Sequence, residues 1–275
     1  MQIAARGLRF DVHVGGPDDG EPMLLLHGFP QHSGEWVHVL PALHAGLRTY
    51  ALDQRGYSPG ARPAEAADYR IAECVADATA VLDALGVDAA HVVGHDWGAV
   101  VGWQLAARQP ARVRTLTAIS VPHPRALGRA LSTGFGQRAR FAYMRLFQRP
   151  RLAERVLLGR DAAGLRLVLR GVPRDRVDTY VAPMRAPGAL TAALNWYRAL
   201  SRRDFADIGP VTVPTTYVWS DRDAAVGARA ALACGDGVRG DYRFVRLTGV
   251  SHWIPDQAPG PLTEAILARV GRGTA

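Results

Sequence analysis

Lysine is absent from this 275-residue chain, so its net charge of +8 rests entirely on arginine. The arginines are scattered, and no basic run is interleaved with aromatics, which argues against a nucleic-acid face. Cysteine is nearly absent. Cys74 and Cys234 stand far apart and form no metal-type spacing, so neither a metal site nor a disulfide framework is expected. Cys74 falls in a helical pattern and reads as a small buried residue. No apolar run is long enough to span a membrane. The first seven residues, Met1 to Gly7, lack the apolar core of a signal peptide, and a cytoplasmic location is the expectation. Internal repeats and low-complexity segments are lacking too. What is present is a hydrophobic content of 48%, enough for the core of one large α/β domain or of a domain with an insertion.

The pattern along the chain alternates strand and helix. Leu8–Val14 alternates apolar and polar residues and predicts an edge strand. Pro22–Leu26 and Thr49–Asp53 are continuous apolar runs, the mark of strands buried on both faces. Ile71–Leu85 carries Val75, Ala78, Val81, Leu82 and Leu85 on one helical stripe, and Gly86 stops it. A strand ending at Gly94 leads to a helix from about Gly98 to Arg108, and Val113–Ser120 predicts the next strand. From Pro124 to Phe205 the pattern is helical without a clear strand. Strands resume at Val213–Trp219 and Tyr242–Leu247, and Pro261–Val270 predicts a last helix. The alternation implies a mainly parallel sheet flanked by helices. The expected organisation is a core of residues 1–123 and 206–275 with a helical cap of residues 124–205.

The stretch around which the chain is organised is Val92-Val93-Gly94-His95-Asp96-Trp97-Gly98-Ala99. It reads as a strand, a Gly-X-Asp-X-Gly turn and a helix. Such a turn presents one side chain at the top of a sheet, with glycines allowing a tight fold on either side. Serine usually occupies the centre and leads to esterase or lipase chemistry. A carboxylate there points to attack on an alkyl carbon, leaving an ester on the enzyme. Ligands of open parallel sheets bind beyond the carboxyl ends of the strands. Asp221 and Asp223 follow one strand, and His252 follows another. Nucleophile, acid and histidine thus come in the chain order of an α/β-hydrolase triad. Asp223, deeper in its loop, is the preferred acid, with Asp221 left to stabilise the turn. The backbone N–H groups of Phe29, in His27-Gly28-Phe29-Pro30, and of Trp97 could form an oxyanion hole.

With these segments on the page, the chain resembles an α/β-hydrolase of the epoxide hydrolase type over nearly its whole length. His27-Gly28-Phe29-Pro30, Asp53-Gln54-Arg55-Gly56-Tyr57 and Gly94-His95-Asp96-Trp97-Gly98 are similar to three core motifs of that family. Ser251-His252-Trp253 resembles its histidine segment, with serine where glycine is common. Trp219-Ser220-Asp221-Arg222-Asp223 resembles its Trp-Gly-X-X-Asp acid loop, again with serine in place of glycine. Within the helical stretch, Phe141–Pro150 and Asn195–Arg198 resemble the cap segments that each carry an epoxide-activating tyrosine.

The resemblance implies an α/β-hydrolase fold with an inserted helical lid. It also implies hydrolysis of an epoxide to a vicinal diol through an alkyl ester on Asp96. Asp223 and His252 complete the triad, Tyr143 and Tyr197 activate the ring oxygen, and Phe29 and Trp97 supply the oxyanion hole. His27, Pro30, Trp196 and Trp253 are expected around the substrate. No metal or organic cofactor is needed. The expected partners are a small apolar epoxide and water, not nucleic acid or membrane, with the chain a monomer or homodimer. Three other readings use the same fold. A haloalkane dehalogenase shares the triad logic, but that family generally supplies a donor side chain, often Asn, at the position of Phe29. A fluoroacetate dehalogenase carries arginines at the positions of Trp97 and Val100. A non-catalytic receptor would have no need of Asp96 paired with His252.

Overall fold

The computed structural model describes residues 1–201 and 203–271; Arg202, in the expected cap, and residues 272–275, in the expected core, lie outside the described residues. The chain opens with strands β1 (Gln2–Ala5), β2 (Leu8–Gly15) and β3 (Glu21–Leu26), helix α1 (Leu40–Leu43) and strand β4 (Leu47–Leu52). Then come α2 (Ile71–Ala84), β5 (Ala90–His95), α3 (Trp97–Arg108) and β6 (Val113–Ile119). After the helical stretch the chain continues with β7 (Thr215–Ser220), α11 (Ala228–Leu232), β8 (Tyr242–Leu247), α12 (Ile254–Gln257) and α13 (Pro259–Val270). The strands lie in the order β1-β2-β4-β3-β5-β6-β7-β8, and β2 runs antiparallel to both neighbours while the others pair in parallel.

The double burial follows from the period-two geometry of a strand. Along β3, Leu24 and Leu26 face one hydrophobic cluster, whereas Met23 and Leu25 face the other. Along β5, Val92 and Val93 divide in the same way. One cluster takes in Val75, Ala78 and Leu82 of α2 and Val101 and Leu105 of α3. The second takes in Leu43 of α1 and Leu262 and Ile266 of α13. Helices therefore cover both faces, as a parallel sheet requires.

Two details differ from the sequence pattern. Leu8–Val14 was expected at an edge, yet β1 pairs outside it and takes that place. Arg6 and Gly7 both have positive φ, 52° and 75°, which suits the tight two-residue hairpin joining the strands. Too short to show an alternation of its own, β1 carries little signal. The strand expected from Val213 starts instead at Thr215, behind Pro214, which has no N–H to give a ladder.

Between β6 and β7 the described residues form α4 (Pro124–Thr133), α5 (Phe135–Arg140), α6 (Met144–Phe147), α7 (Leu152–Val168), α8 (Arg174–Met184), α9 (Ala189–Ala199) and α10 (Arg203–Ala206). Helix α7 is broken by non-helical residues at Gly159–Ala162. Trp196 of α9 donates from Nε1 to the Arg55 carbonyl at 2.8 Å, tying this stretch to the loop after β4. Asp256 ties α8 to α12 by accepting from Tyr180 Oη at 2.9 Å and from Arg176 Nε at 3.3 Å. Among the described residues no helix is long and apolar enough to cross a membrane.

A buried ion pair pins the loop after β4. Arg55 reaches Asp77 of α2 with Nε and Nη2, both at 2.6 Å, and the two side chains are 6% and 2% exposed. A forked guanidinium–carboxylate pair of this kind is strong only while both partners remain. Asp77→Ala is expected to cost about 3–5 kcal/mol in urea denaturation, because Arg55 is left buried and unpaired. Arg6 reaches the same carboxylate from a more exposed position. Arg6→Ala should cost at most about 1 kcal/mol; equal losses in the two variants would contradict this account.

Candidate active site

The site starts from backbone shape. Between β5 and α3, Asp96 sits at φ 51° and ψ −114°, a conformation that non-glycine residues rarely adopt. Its neighbours make the turn possible. A Cβ on Gly98 would collide with the Leu26 carbonyl, one on Gly94 with the Gly98 carbonyl, and one on Gly28 with the Asp96 side chain. The three glycines therefore keep clear the space into which the elbow folds.

Asp96 is held at both carboxylate oxygens. Oδ1 accepts the backbone N–H of Phe29 at 2.9 Å, and Oδ2 lies 3.4 Å from His252 Nε2. Of the two amides expected around Asp96, only that of Phe29 bonds its carboxylate among the described hydrogen bonds; Trp97 N–H stands at the first turn of α3. On its far side His252 donates from Nδ1 to Asp223 Oδ2 at 2.8 Å. Asp223 Oδ1 accepts two amides of its own loop, Ala225 at 2.7 Å and Val226 at 2.8 Å. Asp221 faces elsewhere, taking Gly249 N–H at 2.8 Å. Ser220, in place of the usual glycine, is fully buried and donates to the Ser251 carbonyl at 2.6 Å. It thereby links the acid loop to the histidine loop.

The electrostatics follow from this line of groups. Burial works against charge on His252, but the charges and hydrogen bonds of Asp223 and Asp96 outweigh it and raise its pKa to about 10. Burial likewise pushes the Asp96 carboxyl up, while His252, His95 and the Phe29 amide bring it below its ordinary value. The resting site is thus an imidazolium between two carboxylates.

Several residues around this line carry no local signal in the sequence. The His252 carbonyl accepts Ser120 Oγ at 2.9 Å and His95 Nε2 at 3.0 Å. Ser120 has φ 66° and is fully buried. His95 Nδ1 faces Glu35 Oε2 at 3.0 Å, and neither side chain is exposed. Burial pushes the Glu35 carboxyl well above its ordinary value and the His95 imidazole down to about 4, so burial disfavours charge on both. A neutral His95 that donates from Nε2 to a carbonyl must accept at Nδ1, which a protonated Glu35 satisfies. The position of His95 beside Asp96 was a hint, whereas Ser120 and Glu35 reach the site only through tertiary contacts.

A cavity of about 490 Å³ opens over Asp96 and His252, bounded by Phe29, Tyr143, Phe147, Tyr197 and Trp253. Tyr143 precedes α6 and Tyr197 lies on α9. Their rings meet edge to face with centroids 6.3 Å apart, and Tyr197 packs on Phe29 at 5.3 Å and on Trp97 at 5.0 Å. Burial, with the nearby charge of Asp96, raises the pKa of both phenols, which stay protonated and able to donate.

Three residues expected around a substrate do not bound this cavity. His27 is fully buried beneath its loop; its Nε2 accepts Gln54 N–H at 3.1 Å and its Nδ1 faces the Gly28 carbonyl at 3.1 Å. Pro30, after a cis peptide bond to Phe29, is buried in the same loop. Trp196 turns to the Arg55 carbonyl and packs on Trp97 with centroids 5.6 Å apart. Each shapes the loops behind the site. Trp253 does bound the cavity, and it donates to the Arg170 carbonyl at 3.2 Å. Among the described residues no cluster of three or more His, Cys, Asp or Glu side chains could hold a metal ion.

Comparison with known proteins agrees with this geometry. Residues 21–259 match the family described as alpha/beta hydrolase fold. The chain is 31% identical to the AB hydrolase superfamily protein YfhM of Bacillus subtilis, over 96% of this chain and 95% of that one. It is 30% identical to Epoxide hydrolase A of Mycobacterium tuberculosis, with the same coverage of 96% and 95%. Among solved structures, an epoxide hydrolase from Bacillus megaterium in complex with an inhibitor superposes with a TM-score of 0.90 at 26% identity, covering 99% of this chain and all of that one. With its eight-stranded sheet, its order of elements and these relatives, the chain belongs to the alpha/beta hydrolase fold family and is an epoxide hydrolase-like member of it.

Proposed function

We propose that the protein is an epoxide hydrolase working through a covalent ester on Asp96, with residues 124–205 as a cap that carries the acid groups. The observation that carries this is the two-sided hold on Asp96. One carboxylate oxygen rests on the Phe29 amide and the other faces His252, with Tyr143 and Tyr197 across the same cavity. Epoxide hydrolases of Mycobacterium tuberculosis and Bacillus megaterium among the similar proteins support the substrate class.

An epoxide leaves as an alkoxide, so ring opening needs an acid as well as a nucleophile. Tyr143 and Tyr197 hydrogen-bond the ring oxygen. Asp96 Oδ2 attacks a ring carbon, the C–O bond opens, and the alkoxide takes a phenolic proton. His252 returns a proton to the tyrosinate and becomes neutral, a change favoured because esterified Asp96 no longer carries charge. Neutral His252, oriented by Asp223, then takes a proton from water as that water adds to the Asp96 carbonyl carbon. The oxyanion on Oδ1 meets the Phe29 amide, and the Trp97 amide joins once the carbon is tetrahedral. Collapse expels the second alkoxide, which takes the imidazolium proton and leaves as the diol. Asp96 is left as the free acid and passes its proton to His252, restoring the resting pair. Phe29 offers no side-chain donor for a departing halide, which weighs against the dehalogenase alternative.

Four outcomes are expected. After incubation with an aryl or alkyl epoxide, intact-protein mass spectrometry of His252→Gln should show an adduct of the whole epoxide mapping to Asp96. Asp96→Ala should form neither adduct nor diol, and diol from that variant would sink the scheme. Tyr143→Phe and Tyr197→Phe should each slow ester formation about 10²-fold, the lower end for loss of a general acid, with little change in thermal stability. In single turnovers, ester hydrolysis should rise with pH to a plateau as His252 loses its proton. The midpoint should lie below the resting value of about 10, since the Asp96 charge is gone. A rate independent of pH would rule out His252 as the base.

A further inference from the structure

We propose that Gln137 and Arg140, on cap helix α5, are positioning residues for the catalytic acid, holding the Asp223 loop in the shape that orients His252. This deepens the ester-forming reading above and rests on it.

The acid loop leaves β7 at Ser220 and reaches α11 after Gly227. Its lower side is fastened to the core. Arg222 N–H donates to the Val250 carbonyl at 3.2 Å, and Trp219 Nε1 donates to the Val226 carbonyl at 3.2 Å. Among the described residues no strand pairs with the loop's backbone at residues 223–227. Two side chains of α5 do so instead. Arg140 Nη1 donates to the carbonyls of Asp223 at 2.7 Å and Ala224 at 3.1 Å. Gln137 Nε2 donates to the Ala225 carbonyl at 2.7 Å, while its Oε1 accepts Gly227 N–H at 3.0 Å. Gln137 and Arg140 are three residues apart and share one helix face. Together they satisfy backbone groups at residues 223, 224, 225 and 227.

The character of these residues fits positioning better than packing. Gln137 is the one buried residue of α5, at 7% exposure, on a helix whose Phe135 is 86% exposed. A buried polar side chain on an otherwise exposed helix is stable only if its donor and acceptor are both used, and here both go to the acid loop. Among the described residues Arg140 makes no ion pair, and its hydrogen bonds are to these carbonyls. Arg140 also borders the substrate cavity but Gln137 does not, so it is the influence of Gln137 on turnover that must pass through the loop.

The loop's shape sets the base. Asp223 Oδ1 is tethered by Ala225 and Val226 N–H, which lie inside the braced segment. A loosened brace lets the carboxylate drift from His252 Nδ1. His252 is then less well oriented and less basic, with Asp96, His95 and Glu35 as the other ionisable groups around it. Ester hydrolysis, which uses His252 as base, should suffer more than ester formation.

The test is rapid-quench mass spectrometry of Gln137→Leu, Arg140→Met and the double variant with an epoxide that the wild type hydrolyses. Ester decay is expected to slow about tenfold in Gln137→Leu, the scale of one lost orienting hydrogen bond, and further in the double variant. Ester formation should stay within about twofold, a difference below that of one hydrogen bond. The acid limb of the decay profile should move to lower pH, because a weaker Asp223 contact makes the imidazole less basic. Arg140→Lys, which keeps a cationic donor, should recover part of the Arg140→Met loss. Unchanged ester decay with an unmoved acid limb in the folded double variant overturns the proposal, and so does an equal slowing of both steps. Wild-type protein that forms neither ester nor diol with any epoxide overturns the ester-forming reading instead, and the brace with it.

Discussion

Asp96 stands in a backbone conformation that costs about 1–3 kcal/mol for a non-glycine residue, and the structure around it is arranged to hold that strain. Gly94 and Gly98 clear the turn itself, and Gly28 clears the approach of the preceding loop. The Phe29 amide then reaches Asp96 Oδ1 because Gly28, lacking a Cβ, leaves room for the Asp96 side chain. From this one raised carboxylate the remaining contacts run in a line, through His252 to Asp223 and on to the amides of its own loop. Were Asp96 in ordinary helical or extended backbone, its carboxylate would leave the open end of the sheet, and His252 would face a single acid.

The imidazole is constrained as tightly as the carboxylate. Its ring is held by two acids, and its backbone carbonyl by Ser120 and His95. Ser120 directly follows β6 and itself has a positive φ, so two adjacent parallel strands each lead into a strained residue beside the same histidine. Burial disfavours charge on both members of the Glu35 and His95 pair behind it, whose facing atoms, 3.0 Å apart, satisfy one another away from water.

Much of the fold was legible because its signals are local. Continuous apolar runs mark the inner strands, and a helical stripe ending at Gly86 marks α2. The strand-end positions of Asp96, Asp223 and His252 could be read because a parallel sheet gathers such ends at one rim. The distinction between Asp221 and Asp223 turned on depth in the loop, and the structure has Asp223 on His252 and Asp221 on Gly249. Other features depend on contacts between distant segments. Ser120 and Glu35 show nothing in their own neighbourhoods. His27 and Trp196 stand beside motif residues, but hydrogen bonds to Gln54 and Arg55 turn both side chains away from the cavity. Adjacency in sequence does not fix which way a side chain points, and β1 was too short to announce itself.

The stretch between β6 and β7 holds Tyr143 and Tyr197, much of the cavity wall, and the Gln137 and Arg140 contacts to the acid loop. One stretch of chain thus supplies both the cavity wall and the side chains that brace the Asp223 loop. Replacing these helices would remove both phenols and the side chains that support the acid loop in a single exchange. Reshaping the cavity without touching those supports falls to its apolar walls, at positions such as Leu146, Val156 and Leu167.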